Sequence, residues 1–316
     1  MPAVDFISGP ADWAIAIHGG AGEISRTVSD EDRARYVQGL RVALECGESM
    51  LRSGSHALDV VEEVVRCLED DESFNAGRGS VFAEEGKHEL EASIMDGRGS
   101  RAGAVSLLET VRNPIKLARL VMEQTDHIFL SGDGAERFAD EVGVERVSNS
   151  HFSTERRRAQ LNRFLSAEVD SSAKEQGGST VGCVVRDAHG HLAAATSTGG
   201  TTGKRQGRVG DSPILGAGNW ADGRVAVSCT GKGEEFLRHL VAHEIAACIE
   251  YTGASIEQAC NGVLSTKMAP GDGGVIAVGA DGSVALVFNT TGMHRAAANA
   301  NDQRCVAIWD EQIPAD

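Results

Sequence analysis

At 316 residues, 41% hydrophobic and 24% charged, the chain can bury one large core or two modest ones and has an ordinary globular composition. Its 46 acidic against 30 basic residues, a formal charge of −16, exclude the cationic surface that a nucleic acid or an anionic membrane requires. Aromatics make up only 4% while glycine numbers 38, so packing must lean on Val, Ala and Leu and on tight turns.

In chain order, Met1 to Asp5 carries no charged region leading into an apolar stretch, and no apolar run approaches membrane-spanning length. Residues 13–18 (WAIAIH) read as a short strand that ends in Gly19-Gly20-Ala21-Gly22. Ser29-Asp30-Glu31-Asp32 has the pattern of a helix start; Tyr36, Leu40, Leu44 and Leu51 share one face, and Gly54 is the stop. Residues 57–68 place Val60, Val61, Val64, Val65 and Leu68 at helical spacing. Glycines punctuate Asn75-Ala76-Gly77-Arg78-Gly79, and Asn113 with Pro114 starts a helix to about Gln124.

From 153 to 179 the chain turns polar, with few apolar anchors beyond Leu161, Phe164 and Leu165, and a linker is expected over about 153–179, residues 171–178 having the clearest linker composition. The run Arg156-Arg157-Arg158 reads as a solvated helix face. Strands are expected over 181–186 and 192–196, another over 224–229, a long helix over 234–251 and a further one over 256–267. Residues 275–278 and 284–288 form a hairpin about Asp281-Gly282, so antiparallel pairing is favoured. Seven scattered cysteines without a CxxC read as reduced and buried, which with the N-terminus gives a cytoplasmic expectation.

Thr180 stands where the polar segment becomes a strand. A strand threonine is ordinarily a β-former. A cut before it would give it both a hydroxyl nucleophile and a free α-amine, whose reference pKa of about 8 suits a general base near neutrality. Three later clusters supply what such a nucleophile lacks. Thr196-Ser197-Thr198-Gly199-Gly200 offers a second hydroxyl. Arg208 and Asp211 in Gly207-Arg208-Val209-Gly210-Asp211-Ser212-Pro213 match the carboxylate and ammonium of an amino acid, although alone they read as a surface ion pair. Thr230-Gly231-Lys232-Gly233-Glu234, at a strand-to-helix junction, offers oxyanion donors or a plain glycine-rich helix start.

In order, these clusters together with His18-Gly19-Gly20-Ala21-Gly22, Phe74-Asn75-Ala76-Gly77-Arg78-Gly79, Met95-Asp96-Gly97, Ala102-Gly103-Ala104-Val105, Gly273-Gly274 and Phe288-Asn289-Thr290-Thr291-Gly292-Met293 resemble one family over nearly the whole chain. It is the plant-type L-asparaginases, or isoaspartyl peptidases, of the N-terminal-nucleophile hydrolases. The resemblance implies one domain over 1–316, a four-layer αββα sandwich of the α+β class with two mainly antiparallel sheets. It implies self-cleavage between Ser179 and Thr180 into subunits 1–179 and 180–316, paired as a dimer of αβ units. It assigns Thr180 as nucleophile, Thr198 as the hydroxyl that steadies it, and Thr230 and Gly231 as the oxyanion hole. Arg208, Asp211 and Gly233 would bind a small substrate, asparagine or a β-aspartyl dipeptide. No cofactor is implied for catalysis; a structural sodium would be held by main-chain carbonyls of Leu68, Glu69, Asp71, Phe74, Ala76 and Arg78.

One residue departs from the pattern: Ser179 stands where the family has Gly or Asp, and serine tolerates a strained backbone less well than glycine. Other readings are an aspartylglucosaminidase-like amidase and a poorly processed, non-catalytic member. His239 and His243, spaced i, i+4, lack the glutamate of an HExxH site, and Cys183 reads as core.

Overall fold

The computed structural model describes residues 2–7, 9–167, 180–310 and 312–313; Ser179 and the linker-like 171–178 lie outside them. In chain order come β1 (Ala3–Ile7), β2 (Ala14–Gly22), α1 (Asp30–Arg52), α2 (Ala57–Asp70), β3 (Leu90–Asp96) and β4 (Arg101–Leu108). Then follow α3 (Pro114–Gln124), β5 (Phe129–Ser131), α4 (Gly132–Glu141), a 3-10 turn and α5 (Glu155–Ala167). The second half has β6 (Val181–Arg186), β7 (Leu192–Thr198), β8 (Asn219–Ala221), β9 (Val225–Gly231), α6 (Gly233–His239), α7 (Val241–Thr252) and α8 (Ile256–Lys267). It closes with β10 (Gly273–Gly279), β11 (Val284–Phe288), β12 (Gly292–Asn299), β13 (Arg304–Ala307) and β14 (Gln312–Ile313).

These strands build two sheets. One runs β14-β13-β12-β2-β6-β7-β3-β4-β5 and is antiparallel except at the β4–β5 edge. The other runs β1-β11-β10-β9-β8 and is antiparallel throughout. Period-two patterning explains how they stack. Ile15 and Ile17 of β2 face one core with α1, α2 and α3, while Ala14 and Ala16 face a second core shared with Ile276 and Val278 of β10. The opposite face of β10, Val275 and Ala277, packs with Phe236, Ile245 and Val263 from α6, α7 and α8. Three buried layers between four tiers of elements make the αββα sandwich. Alanine dominates the inter-sheet face, which lets the two sheets approach closely.

The start of α1 is capped by Ser29, whose Oγ accepts from Asp32 N–H at 3.1 Å, and α3 begins at Pro114 as expected. Three expectations fail. Residues 155–167 are not linker but helix α5, and the arginine run is not a solvated face. Arg157 is buried and donates from Nε to Gly79 O at 2.6 Å; Arg156 donates to the carbonyls of Glu72 and Ser73 at 2.8 and 2.7 Å. Arg158 lies over the Phe82 ring at 3.9 Å. Guanidiniums that satisfy carbonyls of a neighbouring loop dock the helix where hydrophobic anchors are few.

The long helix expected over 234–251 is two helices. Leu240 adopts left-handed φ 47° and ψ 49°, and the Ala242 and His243 N–H groups donate to Ala217 and Gly216 carbonyls instead of continuing α6. His239 and His243 therefore sit on different helices, not one face.

Candidate active site

The register of the large sheet decides where Thr180 goes. Val181 pairs with Ser197 and Gly182 with Thr196, so Thr180 stands opposite Thr198 at the ends of β6 and β7. Thr180 Oγ1 donates to Thr198 Oγ1 at 3.2 Å, and Thr198 Oγ1 also accepts the Gly200 N–H at 3.0 Å. From the facing sheet, Thr230 Oγ1 accepts the N–H of Thr180 at 3.4 Å and that of Ala21 at 3.3 Å. With both lone pairs taken, the Thr230 proton is left for a further acceptor. All three threonines are buried.

The main chain of Thr180 is held by a residue to which sequence reasoning gave a motif but no role. His18 bonds Thr180 O through Nδ1 at 2.9 Å and Ser228 Oγ through Nε2 at 2.8 Å. A carbonyl can only accept, so Nδ1 carries the proton and Nε2 accepts from Ser228. Burial pushes His18 down to about 3, which keeps the ring neutral; the bond to Thr180 works in the other direction. Gly182 makes this possible: a Cβ there would lie 2.1 Å from Ser228 Oγ and 2.4 Å from His18 Nε2. Ser228 was foreseeable, since it lies two residues from Thr230 on a strand and so shares its face.

Behind Thr198, Asn75 ties down the turn that follows. Its Nδ2 donates to Gly200 O at 2.8 Å, its Oδ1 accepts from Val81 N–H at 2.8 Å, and its own carbonyl accepts from Gly199 N–H at 3.2 Å. Ser197 donates to Glu69 Oε1 at 2.7 Å, where Ile115 N–H also lands at 3.0 Å. Glu69 is wholly buried, its Oε2 has no partner, and burial pushes its carboxyl up to about 8.

Arg208 and Asp211 come from the loop after β7. Buried Lys204 anchors that loop by donating to Glu89 O at 2.9 Å and Glu91 Oε1 at 3.4 Å, while Gly210 N–H donates to Glu91 Oε2 at 3.0 Å. Glu91, a charge flanked by Leu90 and Ala92 near the start of β3, was the legible signal for this network. Arg208 is forked onto Glu234 at the start of α6, with Nε and Nη2 each 2.9 Å from its carboxylate. That pairing holds the arginine charged and leaves Nη1 beside Gly200 and Gly210. Asp211 is buried, its Oδ2 has no partner, and burial pushes its carboxyl up to about 7 against the pull of Arg208.

Two glycines join the parts. A Cβ on Gly233 would lie 2.7 Å from Arg208 Nη2 and 2.9 Å from Asp211 Oδ1, and one on Gly200 would lie 3.3 Å from Arg208 Nη1. Since Gly200 also bonds Thr198, and Gly233 follows Thr230-Gly231 on the same turn, the threonine centre and the charged pair are continuous. The site thus gathers the paired hydroxyls of Thr180 and Thr198, a Thr230 hydroxyl proton without an acceptor, one guanidinium edge and a buried carboxylate.

After α2 the chain folds back on its own carbonyls. A Cβ on Gly77 would sit 2.4 Å from Glu69 O; one on Gly79 would sit 2.4 Å from Glu72 O and 2.7 Å from Phe74 O. Glycine at both positions keeps clear of these oxygens, and Glu69 and Phe74 are two of the six residues whose carbonyls were expected to hold a sodium. Glu72 is an addition. Glu69 O already accepts the Arg78 N–H at 2.7 Å, and Glu72 O takes Arg156. Cys183 is buried in the core, and burial raises its thiol far from thiolate formation. No helix among the described residues is long and apolar enough to cross a membrane.

Residues 11–308 match the family described as Asparaginase. The isoaspartyl peptidase of Escherichia coli (strain K12) is 48% identical over 309 residues, covering 94% of this chain and 96% of that protein. That of Salmonella typhimurium is 49% identical over 310 residues, covering 94% and 98%. The Homo sapiens isoaspartyl peptidase/L-asparaginase is 43% identical over 292 residues, covering 90% and 92%.

Proposed function

We propose that this chain, which belongs to the Asparaginase family, is a self-maturing threonine amidohydrolase acting on L-asparagine and β-aspartyl dipeptides. The observation that carries the reading is the meeting of Thr180, Thr198 and Thr230 hydroxyls beside a buried carboxylate with a vacant acceptor.

In maturation, the Thr180 hydroxyl attacks the Ser179 carbonyl, the peptide C–N bond breaks in favour of an ester, and water opens the ester. The chain becomes fragments 1–179 and 180–316, and the Thr180 nitrogen becomes an amine. In turnover that amine takes the hydroxyl proton while Oγ1 attacks the substrate amide carbonyl. Thr198, 3.2 Å away, keeps the nucleophile aimed. The oxyanion meets the Thr230 hydroxyl and Gly231 N–H; ammonia or a peptide amine departs with the proton, and water releases aspartate from the acyl-enzyme.

The head group is read by charge. Arg208 Nη1 faces the α-carboxylate, and the Asp211 carboxylate, whose Oδ1 lies on the Gly233 side, meets the α-ammonium; Gly233 gives both room. Neither reaches the amide side, so asparagine and β-aspartyl dipeptides share the site. A structural sodium would be held by the main-chain carbonyls of Leu68, Glu69, Asp71, Phe74, Ala76 and Arg78, in the turn that Gly77 and Gly79 keep open. It would fix that turn next to Asn75 and would not enter the reaction. Free thiols at all seven cysteines support a reducing compartment such as the cytoplasm, and the assembly proposed is a dimer of αβ units.

Intact-mass spectrometry with ammonia release from asparagine tests the reading. The wild type should yield two fragments divided before Thr180 and release ammonia; Thr180→Ala should stay whole and inactive. An active preparation of unbroken chain would sink the mechanism.

A further inference from the structure

Far from the threonines, the other end of β6 gathers a second polar cluster. His56 stands at the N-cap of α2 but makes no side-chain cap bond. The capping is done from across the fold by Asp187, whose Oδ2 accepts the Ala57 N–H at 2.9 Å. Its Oδ1 accepts the N–H groups of His189 and His191, each at 2.9 Å. These bonds hold the Asp187 carboxyl below its ordinary range although its burial acts the other way, so the group is an anion with one lone pair of Oδ2 still vacant.

Two imidazole nitrogens face that oxygen. His56 Nδ1 is 3.7 Å and His191 Nδ1 3.4 Å from Asp187 Oδ2, and the three atoms lie within 4.8 Å of one another. His191 Nδ1 is buried and has no hydrogen-bond partner. Metal–ligand bonds of about 2.0–2.1 Å at tetrahedral angles put neighbouring ligand atoms about 3.3–3.4 Å apart, close to the spacing seen here. A third ring, His189, has its centroid 5.1 Å from that of His56 and 5.9 Å from that of His191. The carboxylate is fully buried while His56 and His191 are 53% and 33% exposed, so the cluster has a fixed floor and a solvent-facing mouth.

We propose that His56, Asp187 and His191 bind a divalent transition-metal ion of the zinc type, with His189 or water as the fourth ligand. Imidazoles with one carboxylate select zinc, nickel or copper over magnesium or calcium. The buried anion offsets the positive end of α2, which would otherwise oppose a cation. The six residues of β6 lie between Thr180 and Asp187, seven steps or about 23 Å at ~3.3 Å per residue, so the ion takes no part in the reaction. Its role is to tie the start of α2 to the β6–β7 turn. If the chain opens before Thr180, His56 leaves with one fragment and Asp187 and His191 with the other, and the ion joins them; this consequence alone rests on the self-cleavage reading.

The site is tested on the whole Thr180→Ala chain, which does not depend on cleavage. After chelator treatment it is titrated with zinc by calorimetry and with cobalt by visible absorption. The expectation is one equivalent bound, with tetrahedral cobalt bands, weakened by about tenfold or more in His56→Ala and in His191→Ala. His239→Ala, on the far side of α6, should bind as before. No saturable binding at millimolar zinc, or binding undiminished in both cluster variants, overturns the site. In the matured wild type, zinc should raise the denaturant midpoint for fragment separation, and should not in His191→Ala. A metal-binding protein without that rise refutes the joining role. A wild type that is never cut refutes the cleavage reading and leaves the binding result standing.

Discussion

Replacing Asp211 by Asn separates charge from shape at the proposed head-group site. The carboxyl is buried, one oxygen has no partner, and burial moves it from 3.8 to about 7. That displacement corresponds to ~4 kcal/mol of unfavourable environment for the anion, the most that an arriving ammonium can relieve. Asn keeps the volume and leaves the ammonium desolvated without a counter-charge, a loss of about 2–4 kcal/mol, or ~30- to 1,000-fold in kcat/KM. The loss should fall mainly on KM, because the group touches only the bound head group. In the wild type KM should rise as pH falls through about 7, since protonated Asp211 cannot accept an ammonium. The variant should lack that dependence. Stability moves the other way. A carboxyl raised in the folded state contributes stability below 3.8 that is lost as pH rises through about 7, so Asp211→Asn should gain on the wild type above pH 7. Steady-state kinetics from pH 5.5 to 9 with denaturant titrations at the ends give all these quantities. A variant within threefold of wild-type kcat/KM, or with the wild-type KM profile, refutes the assignment.

Thr198→Val removes the hydroxyl 3.2 Å from Thr180 Oγ1 at nearly constant volume, and kcat should drop ~10- to 100-fold with KM little changed; single-turnover kinetics read this directly. Gly233→Ala places a methyl 2.7 Å from Arg208 Nη2 and 2.9 Å from Asp211 Oδ1, and should raise KM by about tenfold or more while maturation proceeds. Glu69→Gln should match the wild type in stability near pH 5 and exceed it near pH 9, because the buried carboxyl must shed its proton above about 8; thermal melts across that range check the sign.

Much of the site was legible in the chain itself. Thr180 stands just before the first strand residue after a polar stretch, and an ordered set of glycine-rich motifs points to the residues that gather around it. Local pattern sufficed for such features because a strand, a capped helix such as α1 or a hairpin such as β10–β11 is specified by neighbours in sequence.

Helix α5 was missed because its docking depends on charge meeting distant carbonyls. Arg156 and Arg157 look like surface residues until the loop at 72–79 is folded against them. The split of α6 from α7 was missed for a related reason: Leu240 is an ordinary helix former, and only the carbonyls of Gly216 and Ala217 draw the chain aside. By itself, then, the sequence determined the class of fold and which residues gather around Thr180. Tertiary structure alone decided that His18, backed by Ser228, holds the main chain of Thr180, that Asp211 keeps one oxygen without a partner, and that Arg208 shares its fork with Glu234. Periodicity reports which face of an element is buried. Partners 26 to 210 residues apart, and the desolvation that sets a carboxyl's proton affinity, exist only once the two sheets have closed.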